Sequence, residues 1–170
     1  SRMSGYFAEV GDISALQVVN QAQTDSVLKY VAASLPQYKD LPVLSVTAPF
    51  KSGSAGPADY TDVKAGDLAL NNAADLYLYP NSLYAVKVNG AGLKAWLEKS
   101  AQRFHTIDPA KPEPQALVNL AVPSYNFDTI TSPDISYEID VTRAPGERIR
   151  NLAWRGKPVA LDQEILGAPN

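Results

Sequence analysis

The stretch from Ala74 to Phe104 decides the fold: Ala74-Asp75-Leu76-Tyr77-Leu78-Tyr79-Pro80-Asn81, then Leu83 to Val88, then Asn89-Gly90 and a helical run. Leu76 to Tyr79 alternates apolar and aromatic side chains and breaks at Pro80, as a short strand does. Leu83 to Val88 alternates again, and Asn89-Gly90 is a strong turn signal. After it, Leu93, Trp96, Leu97, Ala101 and Phe104 fall on one helical stripe, with Trp96 read as a core residue. Strands and a helix thus follow one another through short turns rather than through long crossovers.

The flanks repeat this alternation. Leu16, Val19, Val27, Leu28, Val31 and Leu35 recur at three- and four-residue steps, predicting a helix from Asp12 to Leu35 that Asp12 or Ser14 caps and Pro36 stops. Val43 to Thr47 is short and β-branched and reads as a strand, followed by Ala48-Pro49-Phe50. On the C-terminal side, Tyr125 to Ile130 reads as one strand, and Ile135, Tyr137, Ile139 and Val141 mark the inward face of another. Arg148 to Trp154, a turn at Arg155-Gly156-Lys157-Pro158, and Val159 to Leu161 form a hairpin. Glu164-Ile165-Leu166 begins a last strand just before Gly167-Ala168-Pro169-Asn170, which suggests a truncated domain. Helices among hairpin-linked strands predict the α+β class. The proline-spaced loop from Asp108 to Pro114 shows no linker composition, and the chain contains neither an internal repeat nor a low-complexity segment.

Composition limits the chemistry. With 170 residues, 45% hydrophobic side chains and 13 prolines, the chain suits a single domain, or one domain with part of a neighbour. A net charge of −3 supplies no basic footprint for a nucleic-acid polymer. Zero cysteine excludes a disulfide scaffold, a thiolate metal site and a cysteine nucleophile. A single histidine, His105, excludes a cluster of imidazole ligands, and its place after a helix stripe suits a helix dipole better than a metal. There is no G-x-S-x-G elbow, and Gly53-Ser54-Ala55-Gly56 lacks the Gly-Lys-Ser/Thr of a P-loop. No stretch approaches the roughly 20 apolar residues of a membrane span. Residues Ser1 to Tyr6 lack the basic start and apolar run of a signal peptide, as a mature or excised chain would. Catalysis by this chain alone is not expected.

Binding is better supported. Nine tyrosines against four phenylalanines favour aromatics that stack while keeping a polar tip. Tyr79, just before Pro80-Asn81, suits a sheet rim where its face could stack on a nucleobase, and Asn81 offers both donor and acceptor to a base edge. Packing of Tyr77 and Tyr79 across a strand pair is the competing reading. The small-residue loop Lys51 to Pro57 could bring backbone N–H groups to a ligand or simply turn the chain.

At these residues the sequence resembles the C-terminal domain of the 5'-nucleotidase family, in its bacterial periplasmic branch of 2',3'-cyclic-nucleotide 2'-phosphodiesterase/3'-nucleotidases. The resemblance runs from about Tyr6 to Leu166. It is carried by Ala74 to Asn81, Leu41-Pro42-Val43-Leu44-Ser45 with Ala48-Pro49-Phe50-Lys51, Tyr125-Asn126-Phe127-Asp128, Tyr137 to Thr142, Glu147-Arg148-Ile149 with Asn151-Leu152, and Gly156-Lys157-Pro158. It implies a mixed or antiparallel sheet with packed helices, preceded by a joining helix in residues 1–36, with the substrate-specificity domain in 37–170. It further implies an upstream metallophosphoesterase domain of the same chain holding two divalent metal ions. No metal ligand, cofactor or catalytic residue is then expected here, and the chain alone would be inactive. By the same resemblance Tyr79 is the first ring of an aromatic clamp on a nucleotide or nucleoside, Asn81 touches the base, and Lys51 and Gly53 lie on a substrate-side loop. Tyr125 and Asn126 match a family signature whose role is structural or substrate-binding. The loop departs from the family in lacking an arginine after its glycines, and the second clamp ring has no counterpart before Asn170. A periplasmic location follows from the resemblance alone. The alternative is a non-catalytic ligand-binding or cell-surface module of the same fold.

Overall fold

The computed structural model describes residues 2–53 and 55–169; Ser1, Ser54 and Asn170, and the sequence expectations that touch them, lie outside the described residues. The central element is β8 (Glu164–Ala168), whose last four residues are buried. On one side it pairs parallel with β2 (Val43–Ser45), matching Leu44 to Gly167; on the other it pairs antiparallel with β4 (Val86–Asn89), matching Val88 to Ile165. A second sheet joins β5 (Ile135–Ile139), β6 (Ile149–Trp154) and β7 (Lys157–Pro158), all antiparallel. A two-stranded ribbon of β1 (Met3–Ser4) and β3 (Asp62–Val63) completes the strands. With helices α1 (Ser14–Ser34), α2 (Leu70–Leu76) and α3 (Gly90–Ser100), this is the expected α+β architecture.

The main core lies between α3 and the two sheets. Leu93, Leu97 and Ala101 pack with Leu44, Val46, Ile130, Ile135, Ile149 and Ile165, all nearly inaccessible to solvent. The α3 stripe therefore behaves as its periodicity predicts, although Phe104 joins the core only after a 3₁₀ turn, Ala101–Arg103. Trp96 is half-buried, and its Nε1 donates to Asp128 Oδ2 at 2.7 Å. Burial pushes the Asp128 carboxyl above its ordinary range, an effect the indole hydrogen bond partly offsets.

Helix α1 lies directly on β2, Val27 and Val31 packing with Val43 and Leu166. Its inward face also carries two buried amides. Asn20 Oδ1 and Gln23 Oε1 lie 2.7 and 2.5 Å from Ser45 Oγ, and Asn20 Nδ2 donates to Thr131 Oγ1. Leu28, assigned to the inward stripe, is 44% exposed, because the buried face runs through Leu16, Val19, Asn20, Gln23, Val27 and Val31 and Leu28 lies about 100° round the helix from Val27. No side chain caps the start of α1, which follows extended Ile13, so neither Asp12 nor Ser14 has the predicted role.

Four further expectations are corrected. Leu76 to Tyr79 is not a strand: Tyr77 N still donates to Ala73 O at the end of α2, and Pro80 follows before any ladder can form. Leu83 to Ala85 stays outside the sheet, which takes only Val86 to Asn89. Asn89-Gly90, read as a turn ahead of the helix, is the helix start itself, since Asn89 Oδ1 accepts from Gly92 N at 2.8 Å and caps α3. Gly90 is required by close approach, because a Cβ there would lie 2.0 Å from Ala160 O. Tyr125 to Ile130 is likewise no strand. Pro123 leads into a 3₁₀ turn, Ser124–Asn126, and only Thr129 pairs, antiparallel, with Thr47. The C-terminal hairpin forms as expected, although its return strand is Lys157–Pro158 rather than Val159 to Leu161.

Candidate functional site

Beyond β2 the chain runs through Thr47, held to Thr129 by backbone hydrogen bonds of 2.9 and 3.1 Å, to Phe50 and Lys51. Lys51 Nζ pairs with Asp75 Oδ1 at the end of α2. The Phe50 ring meets two tyrosines edge-on, Tyr77 at 4.9 Å between centroids and Tyr79 at 5.9 Å. Tyr79 nevertheless remains 59% exposed. Two residues on, Asn81 is exposed, and its N–H donates to Tyr79 O at 2.8 Å, folding the chain tightly around Pro80. An exposed ring with an amide side chain close by can stack on a planar ligand and hydrogen-bond its edge.

The loop after Lys51 is a turn closed on itself. Gly53 N donates to Asp59 O, Gly56 N to Gly53 O, and Ala55 N to Asp59 Oδ2. These three N–H groups are occupied within the loop, so they do not form a backbone cradle for an anion. Gly53 has φ of 89°, and a Cβ there would lie 2.1 Å from Tyr60 Oη. Its glycine thus admits Tyr60, whose ring stacks on Tyr6 at 4.2 Å with planes 11° apart.

Tyr125 is 73% exposed and Asn126 is also exposed, on the 3₁₀ turn whose next residue, Phe127, packs against Phe104. Because Thr47 and Thr129 pair antiparallel, Phe50-Lys51 and Tyr125-Asn126 leave that pair in the same direction. The structure thus links Lys51 to Tyr79 and Asn81 through Asp75 and Phe50. Tyr125 and Asn126 connect to them by way of the Thr47–Thr129 pairing. Phe50 and Asp75 were not singled out by sequence, although each sits in a stretch that was. The available signal was their adjacency to Lys51 and Tyr77.

A cavity of about 550 Å³ is lined by Glu9, Asp12, Phe104, Phe127, Thr129 and Tyr137 among others, and by none of Lys51, Tyr79, Asn81, Tyr125 and Asn126. Its lining contains two carboxylates, Glu9 and Asp12, and no lysine or arginine. Among the described residues no group of three His, Asp or Glu side chains is placed to hold a metal ion. His105 is exposed, and the carbonyls of Ala101, which ends α3, and of Phe104, which ends the following 3₁₀ turn, accept from Arg148 instead.

A family model described as 5'-nucleotidase, C-terminal domain, matches residues 7–165. The chain belongs to that family. It is 44% identical over 183 residues to the 2',3'-cyclic-nucleotide 2'-phosphodiesterase/3'-nucleotidase of Haemophilus influenzae, covering 99% of this chain and 27% of that protein. It is 42% identical over 181 residues to the trifunctional nucleotide phosphoesterase YfkN of Bacillus subtilis, covering 99% of this chain and 12% of that one. A crystal structure of a Staphylococcus aureus protein assigned as a 5'-nucleotidase, solved with alpha-ketoglutarate, superposes over 96% of this chain and 28% of its own, with a TM-score of 0.62 at 23% identity. The 5'-nucleotidase C-terminal domain is therefore shown by sequence and by fold, and the chain spans about a quarter or less of the length of the curated relatives it matches.

Proposed function

We propose that this chain is the nucleotide-base-binding specificity domain of a 2',3'-cyclic-nucleotide 2'-phosphodiesterase/3'-nucleotidase, with residues 1–36 the joining region and 37–170 the domain proper. The observation that carries the reading is Tyr79: a half-buried phenylalanine braces its ring, yet the residue stays 59% exposed beside Asn81. Tyr79 stacks on the base and Asn81 reads its edge. Lys51, paired with Asp75, serves the phosphate side. Gly53 shapes the turn that follows, and Tyr125 and Asn126 border the same end. Residues placed to hold the two metal ions of the parent belong to an upstream domain. The groups described here do not fit that task, so this chain contributes binding and orientation, which by themselves can lower a barrier substantially.

In the intact parent, Tyr79→Ala raises KM for 3'-AMP roughly 5- to 150-fold, the range expected for one lost base–aromatic stack. KM for glycerol 2-phosphate, which has no base, stays unchanged. Equal effects on both substrates would refute stacking. The isolated chain hydrolyses neither substrate with manganese or cobalt added. A second reading, a non-catalytic ligand-binding module of the same fold, draws on the loop from Lys51 to Pro57, whose only cation is Lys51. Sequencing upstream separates the two, since metal-ligand motifs of the D-x-H and G-N-H-[DE] type belong to the enzyme alone.

A further inference from the structure

We propose that Phe50 and Asp75 are positioning residues that set the orientation of the Tyr79 ring; the inference rests on the reading of Tyr79 as the base-stacking ring. Tyr79 lies outside every helix and strand, between α2 and β4. No ladder fixes its backbone, and an exposed tyrosine on such a segment would sample several rotamers. One dipeptide of another segment reaches it. Phe50 packs edge-on against both Tyr77 and Tyr79, and the next residue, Lys51, pairs with Asp75. Thr61 Oγ1 also donates to Asp75 O at 3.0 Å, tying the end of α2 to the ribbon.

Residues 75 to 79 are thus gripped by charge and a hydrogen bond at Asp75 and by a ring at Tyr77 and Tyr79. Thr47 anchors the Phe50 segment to Thr129, and the space against Phe50, bounded by Leu16, Val19, Thr61 and Leu76, is only about 20 Å³. A ring held ready for stacking loses less freedom when ligand binds, so affinity is lost when its support is removed even though the support never touches the ligand.

The test is equilibrium binding of adenosine to the full-length parent by calorimetry, with circular dichroism to verify folding. Phe50→Leu weakens adenosine binding about 2- to 10-fold, the scale of a lost edge-on aromatic contact, and Phe50→Tyr restores it. Asp75→Asn, which keeps the side-chain shape and removes the ion pair, produces a smaller loss of the same sign. In the double variant Phe50→Leu/Tyr79→Ala, binding is no weaker than in Tyr79→Ala alone, because the support matters only through the ring it supports. If Phe50→Leu and Asp75→Asn leave affinity unchanged while Tyr79→Ala reduces it, the positioning role is overturned and the stacking reading stands. If Phe50→Leu weakens binding by the same factor with and without Tyr79, the role is also overturned. If Tyr79→Ala has no effect, or the unaltered protein does not bind adenosine, the stacking reading fails and this inference with it.

Discussion

Glu98 accepts the backbone N–H groups of both Arg148, at 3.0 Å, and Ile149, at 2.7 Å, so a buried carboxylate on α3 fixes the start of β6. Arg148 returns the contact. The residue is 1% exposed, and its guanidinium donates to the carbonyls of Ala101 and Phe104, closing the C-terminal end of the same helix and the 3₁₀ turn after it. Helix and sheet are thereby locked by reciprocal side-chain to backbone bonds, with no direct ion pair. Glu98→Gln can accept from one N–H but turns a donor toward the other, and should destabilise the protein by about 1–3 kcal/mol. Urea unfolding at pH 7 measures it.

Leu97 sits at the centre of the main core, 1% exposed. Leu97→Ala removes buried volume that the two sheets cannot close over, and should cost about 2–5 kcal/mol. The same unfolding experiment reports the loss as a lower denaturant midpoint with an unchanged slope.

Gly90 gives the opposite result to helix propensity. Alanine is about 1 kcal/mol better than glycine inside a helix, yet a Cβ at Gly90 would run into the Ala160 carbonyl, a backbone atom that cannot rotate away. Gly90→Ala should therefore lower the melting temperature. Gly92, where a Cβ would lie 3.3 Å from the Asn89 side chain, should tolerate alanine better, and thermal melts of the two variants make the comparison.

Asp128 makes stability depend on acidity. Its carboxyl is raised above 3.8 chiefly by burial, so the folded state holds its proton more tightly than the unfolded state. Its contribution is neutral at low pH and becomes unfavourable as pH rises from about 3.8 through the folded value. Asp128→Asn keeps an acceptor for Trp96 Nε1 and removes that penalty. Its stability relative to the unaltered chain should therefore improve with rising pH across the acid range and then level off. Unfolding measured at several pH values tests the trend; a constant difference would contradict it.

Local pattern foretold the elements whose residues face a single neighbour. The α3 stripe, the alternation from Ile135 to Ile139 and the turn at Arg155-Gly156, where both residues adopt positive φ, can be read from residues close together in the chain. Tyr79 and Asn81 stood out for the same reason, as an aromatic and an amide flanking a proline. Leu76 to Tyr79 and Tyr125 to Ile130 looked like strands because alternation is necessary for a half-buried strand but does not supply a partner. With Pro80 and Pro123 beside them, neither acquires a ladder.

Sequence alone thus determined the α+β class, the family, the main helical stripe and the lack of a histidine or cysteine metal cluster. Only the tertiary structure decided that Asn89 caps a helix, that Glu98 and Arg148 tie α3 to β6 through backbone groups, and that Phe50 and Lys51 grip the segment carrying Tyr79. The last two depend on groups distant in the chain arriving within a few ångströms, and such an approach leaves no periodic trace in the residues themselves. The cap at Asn89 is local, but whether an Asn-Gly pair turns a hairpin or starts a helix depends on what packs against the residues that follow.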